Sequence, residues 1–161
     1  MTDAELKAIK KIVIISCGTA YHAGMVGRYL LEQFVRIPVE VDLASEFRYR
    51  DPIVDKDTLV MTVTQSGETA DTLAGLREAK RRGSKVISVC NVVGSSIARE
   101  SNGVIYTHAG PEIGVASTKA YTSQVTAFYL FTLYMGALRE TIKPDVQKSM
   151  IAELRRLPDL V

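Results

Sequence analysis

Leu59-Val60-Met61-Thr62-Val63 is an apolar run rich in β-branched residues. It stops at the polar turn Thr64-Gln65-Ser66-Gly67-Glu68-Thr69 and passes at once into a helical pattern. Leu73, Leu76 and Ala79 fall on one helical face, and Arg77, Lys80 and Arg81 on others. A strand apolar at every position is buried on both faces, which points to a parallel sheet covered by helices on both sides. The junction matters as much as the strand. A helix start offers unpaired backbone N–H groups and a partial positive charge, and Ser66 and Thr69 stand there with hydroxyls. Such a turn can cradle a phosphate without a Walker lysine. Ordinary N-capping by Ser or Thr accounts for the same residues, so the turn alone leaves both readings open.

The rest of the chain repeats the alternation. Lys11–Ser16 reads as a strand, Cys17-Gly18-Thr19-Ala20 as its turn, and about Tyr21 to Val35 as a helix. Val39–Ala44 alternates and reads as a strand nearer an edge. A short helix or turn is expected over Glu46–Arg50. Gly83 ends the helix that follows the third strand. Lys85–Cys90 is a fourth strand, Gly94-Ser95-Ser96 opens a short helix around Ile97–Glu100, and Gly103–Thr107 is a fifth strand. Last come a long uncharged helix, Ala120–Leu138, and an amphipathic helix from about Asp145 to Leu157 that ends at Pro158. Strand–helix alternation with right-handed crossovers gives an α/β fold with a doubly wound parallel sheet in three layers. Ligands of such sheets sit beyond the carboxyl ends of the strands, near the switch in strand order. Three polar loops emerge at that edge: 18–20, 64–69 and 110–118.

At 161 residues and 47% hydrophobic, the chain suits one domain with a substantial core. Its charge balance, 20 − 18 = +2, and the lack of a basic stripe argue against nucleic acid as a partner. Lys80-Arg81-Arg82 closes a helix, where cations suit the dipole. Cys17 and Cys90 form no CxxC, and His22 and His108 lie far apart, so neither a disulfide framework nor a metal site is expected, and no cofactor. Cysteine usage and a polar, charged start without a signal pattern read as cytosolic. Thr122, Ser123, Gln124, Thr126 and Thr132 make Ala120–Leu138 too polar for a membrane span. A helix packed on nearly all sides, or at a dimer interface, fits it better, because Tyr121, Phe128, Tyr129, Phe131 and Tyr134 spread over more than one face.

The chemistry-bearing residues outside the turn are sparse. His22 follows Cys17 by about a helical turn, but a packing role suits the thiol better than a nucleophile's. Glu46, Glu68 and Glu112 lie near polar turns without forming an acid/base pair by spacing. Glu68 is expected in the first turn of its helix, where it would repel a bound phosphate unless it pointed away. Lys119 could neutralise an anion or simply be solvated. No GxGxxG follows a strand, so the dinucleotide fingerprint is absent.

Five motifs carry a resemblance: Cys17-Gly18-Thr19, Ala44-Ser45-Glu46-Phe47-Arg48, Gln65–Leu76, Gly94-Ser95-Ser96 and Glu112–Ala120. In this order they resemble the first sugar isomerase (SIS) domain of the glucosamine-6-phosphate synthases, the isomerizing glutamine–fructose-6-phosphate transaminases of amino-sugar biosynthesis. The resemblance implies a flavodoxin-like five-stranded parallel sheet that binds fructose 6-phosphate or glucosamine 6-phosphate. By matched position, Thr64, Gln65, Ser66 and Thr69 would hold the phosphate. Thr19 and Ala20 would line the same pocket, and Val115 and Ser117 would border the sugar. The family often has Ser at the positions of Ala20 and Thr64; Ala20 keeps only its backbone for contact. The resemblance further implies a glutaminase domain and a second SIS domain in a longer parent, and a homodimer. Residues 1–143 would be the phosphosugar-binding domain and 144–161 a C-terminal helix leading toward the second. The segment alone would then be inactive. Two other readings share the binding site: a stand-alone sugar-phosphate sensor, for which no DNA-binding helix-turn-helix is visible, and a small homo-oligomeric isomerase, which would need Glu46, Glu112 or His22 as acid and base.

Overall fold

The computed structural model describes residues 1–114 and 117–160. Five strands, β1 (Lys11–Ser16), β2 (Val39–Leu43), β3 (Thr58–Thr64), β4 (Lys85–Cys90) and β5 (Gly103–Tyr106), form one sheet in the order β2-β1-β3-β4-β5. Every pairing is parallel, with Ile14 opposite Val41 on one side and Met61 on the other. The helices are α1 (Asp3–Ala8), α2 (Thr19–Leu30), α3 (Ala44–Phe47), α4 (Ala70–Arg81), α5 (Ser96–Glu100), α6 (Lys119–Leu138) and α7 (Pro144–Leu160).

The alternation of side chains along each strand explains why the sheet needs two helical layers. Ile12 and Ile14 of β1, with Leu59, Met61 and Val63 of β3, join Phe128, Phe131 and Met135 of α6 in one core. Val13, Ile15 and Val60 point the other way, against Phe47 of α3, Leu76 and Ala79 of α4 and Ile97 of α5. All seven residues of β3 are buried, its threonines 58, 62 and 64 included.

Some boundaries differ from those the sequence suggests. Helix α2 begins at Thr19 and its last turn, Leu31–Val35, winds as a π-helix, closed by Arg36 N–H bonding Leu31 O at 3.2 Å. Arg36 stops it in the left-handed region, at φ 59°. Helix α7 runs through Pro158 to Leu160. A proline there removes one hydrogen bond in the final turn of a helix with no buried residue, so the break expected at Pro158 does not occur. Helix α6, charged only at its first residue Lys119, divides its large apolar side chains: Phe128 and Phe131 are buried, whereas Leu130 and Tyr134 are about half exposed, at 50% and 45%. Phe128 is therefore core, not surface available to a partner. No helix among the described residues is long and apolar enough to cross a membrane.

Helices α2 and α6 approach closely because Gly27 faces Phe128. A Cβ at Gly27 would lie 2.5 Å from Phe128 Cδ1. Phe128 is fully buried and has nowhere to go. Gly27→Ala should therefore cost about 1–3 kcal/mol through overpacking. At roughly 2–4 °C per kcal/mol for a domain of this size, calorimetry would detect the fall in Tm. An unchanged Tm would mean that the two helices separate at no cost.

Candidate functional site

Strand order reverses between β1 and β3: the chain leaves β1 toward β2, then returns to place β3 on the other flank. The carboxyl ends of these two strands consequently diverge into loops on opposite faces, and a crevice opens between them. Its volume is about 190 Å³. The β1–α2 turn contributes Cys17, Thr19 and Ala20. The β3–α4 connection contributes Val63, Thr64, Gln65, Ser66, Thr69 and Thr72, and the start of α6 contributes Ser117 and Gln124.

Two helix N-termini meet there. Gly18 precedes α2 at φ 59°, where a residue with a Cβ would be strained, and caps nothing with a side chain. Thr69 precedes α4, and its hydroxyl makes no capping hydrogen bond. Of the two readings the sequence left open at this turn, self-capping by Thr69 is thus not the one realised. Both helices are 12 residues long, enough to develop end charges, and their first N–H groups remain available. Thr64 Oγ1 accepts from Gly67 N–H at 3.1 Å, and Ser66 Oγ accepts from Glu68 N–H at 3.2 Å. These bonds use acceptor lone pairs, so each hydroxyl keeps its O–H as a donor. No carboxylate, ammonium, guanidinium or imidazole group lines the crevice among the described residues. Its electrostatics come from backbone dipoles and hydroxyls.

The turn is held from behind. Gly67 sits at φ 70°, and a Cβ there would collide with Ser95. Its carbonyl accepts from Ile97 N–H at 3.0 Å, and Glu68 Oε1 accepts from Ser96 N–H at 2.8 Å. Glu68 lies before α4, not in its first turn, and its carboxylate serves the start of α5. The acid therefore points away from the crevice. The Ser96 backbone N–H holds its carboxyl below the ordinary carboxylate range. Glu112 is similarly occupied: it accepts from Thr118 N–H at 2.6 Å and from the Thr118 and Ser117 hydroxyls, and the Thr118 backbone N–H lowers its pKa.

Thr19, Ala20, Thr64, Gln65, Ser66, Thr69 and Ser117 all face this one crevice. Val115 lies outside the described residues. Lys119 is exposed and away from the lining. Glu46 and His22 are exposed as well, His22 packing edge-on against Tyr21 at 5.8 Å. Glu112 borders a neighbouring hollow of about 490 Å³ that also touches Gln65, Asn91 and His108. Four lining residues lie outside the set expected from sequence: Cys17, Val63, Thr72 and Gln124. Cys17 was read as packing. Thr72 stands three residues after Thr69, a spacing that keeps both on one helical face. Gln124 is the one carboxamide in helix α6.

The sequence pattern of the SIS domain family matches residues 5–134. The chain belongs to the SIS domain family. Among curated relatives, this SIS domain is 57% identical over 161 residues to a glutamine–fructose-6-phosphate aminotransferase (isomerizing) from Caldanaerobacter subterraneus subsp. tengcongensis, covering all of this chain and 26% of that protein. It is 56% identical over 159 residues to the enzyme of the same name from Clostridium tetani, again across 26% of its length. The chain thus spans about a quarter of these relatives. Among solved structures, it superposes on the C-terminal domain of glucosamine-fructose-6-phosphate aminotransferase from Francisella tularensis with a TM-score of 0.91. That match has 42% identity and covers 96% of this chain and 44% of the other.

The Glu68–Ser96 contact has a pH signature. A carboxylate with a depressed folded-state pKa stabilises the fold above its unfolded pKa, and that stability is lost as pH falls through the folded value. Glu68→Gln cannot ionise. Its Tm should therefore fall less than that of the wild type on acidification from about pH 6 to about pH 3. Parallel Tm–pH curves for the two proteins would remove Glu68 as a source of acid sensitivity.

Proposed function

We propose that the crevice binds the phosphate of a hexose 6-phosphate, fructose 6-phosphate or glucosamine 6-phosphate, within the isomerase part of a glutamine–fructose-6-phosphate aminotransferase. The observation that carries this reading is the convergence of two helix N-termini without side-chain caps on a turn rich in free hydroxyl donors. Thr64, Gln65, Ser66 and Thr69 hold the phosphate in this account. Thr19 and the backbone of Ala20 close the pocket, and Ser117, with Val115, borders the sugar. The relatives' names, glutamine–fructose-6-phosphate aminotransferase and glucosamine-fructose-6-phosphate aminotransferase, support this substrate class.

In the parent reaction, ammonia released from glutamine forms an imine with open-chain fructose 6-phosphate, and isomerisation gives the aldose. The share of this domain is to fix the phosphate and orient the carbon chain, converting a loose encounter into a positioned one. Proton transfers during isomerisation need an acid and a base, and the crevice wall offers neither among the described residues. They would come from a second SIS domain, with a glutaminase domain supplying ammonia. Residues 144–161 would lead toward that second domain. A homodimer in the cytoplasm completes the proposal, and the half-exposed Leu130 and Tyr134 offer apolar surface for such contacts. The small-isomerase alternative is disfavoured by the placement of Glu46 and His22 away from the crevice and by the engagement of Glu112.

Fructose 6-phosphate at about 100 times its Kd should stabilise the chain by roughly 2.7 kcal/mol, read as a rise in Tm. Fructose should do far less. Ser66→Ala with Thr69→Ala should abolish the rise while leaving the fold intact. Equal stabilisation of wild type and double variant would place the phosphate elsewhere.

Supplied with fructose 6-phosphate and either glutamine or ammonia, the purified 161-residue chain should form no glucosamine 6-phosphate in a mass-spectrometric assay. Product surviving Cys17→Ser would instead favour a self-sufficient isomerase.

A further inference from the structure

Four buried side-chain oxygens among the described residues have no hydrogen-bond partner: Ser16 Oγ, Thr72 Oγ1, Gln124 Oε1 and Thr132 Oγ1. Folded interiors leave few such atoms, because each forfeits its hydration without replacement. Their distribution is uneven. Ser16 ends β1, one residue before Cys17 of the crevice, and Thr72 and Gln124 line the crevice itself. These three come from different layers: Ser16 from the sheet, Thr72 from α4 on one face and Gln124 from α6 on the other. Unsatisfied polarity from all three layers therefore gathers at one place, the switch point.

Gln124 and Thr72 are the lining residues that carry a buried oxygen without a partner; Gln65 is the other carboxamide of the wall. The hydroxyls of Thr19, Thr64, Ser66 and Thr69, like the helix N–H groups, can donate to an anion. A carboxamide oxygen only accepts, and a fully ionised phosphate has no hydrogen to give it. An accepting oxygen in this wall is suited to a donor that the phosphate does not carry, and a sugar phosphate has such donors in its carbon-bound hydroxyls. Gln124 is 3% exposed and Thr72 1% exposed, so a group reaching them from water must enter through the crevice. The terminal torsion of a glutamine is broad and roughly two-fold, so its oxygen can turn toward the crevice without movement of α6.

We propose that Gln124, backed by Thr72, reads the hydroxyl-bearing part of the ligand: a carbon-bound hydroxyl of the sugar phosphate supplies the hydrogen bond that Gln124 Oε1 lacks. This rests on the crevice being a phosphosugar site. It divides the crevice into a donor end that holds phosphate and an accepting wall that distinguishes a sugar phosphate from phosphate alone.

The test is calorimetric titration of the 161-residue chain with fructose 6-phosphate and, separately, with inorganic phosphate. Gln124→Met keeps the length of the side chain and removes the acceptor. It should weaken fructose 6-phosphate binding about three- to ten-fold, the worth of one hydrogen bond, and leave inorganic phosphate within about two-fold of wild type. Its Tm without ligand should hold or rise, because an unsatisfied polar atom has been removed. Thr72→Val should shift the ratio of the two affinities in the same direction, and it decides the matter if Gln124→Met does not fold. An unchanged ratio in a folded variant, or an equal loss for both ligands, would overturn the role given to Gln124 and leave the phosphosugar reading standing. Wild-type chain that binds neither ligand would overturn that reading, and this inference with it.

Discussion

Everything in this fold follows from the burial of β1 and β3 on both faces. Five consecutive buried positions in β1 and seven in β3 leave no side of the central sheet for water. Helices must cover both faces, and a right-handed chain can supply them only by reversing direction once. The reversal falls between those same two strands. The pair that anchors the core is therefore the pair whose ends part to make the crevice. Stability and the crevice share one cause, and the crevice rests on the strands buried on both faces.

The local devices around the crevice act on backbone orientation. Gly67 lets the β3–α4 turn lie against Ser95, while Ile97 and Ser96 N–H groups hold it from the far side. The hydroxyls of Thr64 and Ser66 tie the same turn internally. Glu68, the one acid in the turn, is committed to α5. What remains on the crevice side is a surface of donors whose positions are set before any ligand arrives, the arrangement that minimises ordering on binding.

Much of this was legible in the sequence, for identifiable reasons. Strands buried on two faces write themselves as largely apolar runs, and the polar stop after β3 marks the turn that lines the crevice. Thr64, Gln65, Ser66 and Thr69 fall within one six-residue turn, so a single local pattern exposes them to reading. Gln124 was not legible, because nothing local distinguishes a carboxamide facing a crevice from one that merely dilutes an apolar helix; its position depends on how α6 crosses the sheet. The orientation of Glu68 is equally hidden, since it is decided by the Ser96 N–H that donates to it at the start of α5, nearly thirty residues later. The continuation of α7 through Pro158 shows the opposite case, a strong local signal overridden because the lost hydrogen bond lies near the end of an exposed helix.

The absence of charged side chains from the crevice wall, among the described residues, bears on kinetics. A cluster of cations projects a field that gathers anions from a distance, and added salt weakens it. Dipoles and hydroxyls act only within a few ångströms. With a net charge of only +2 on the whole chain, the protein has little means of drawing an anion toward this edge. For the sugar phosphate proposed above, association would then respond weakly to ionic strength, and selectivity would lie in how long the ligand stays.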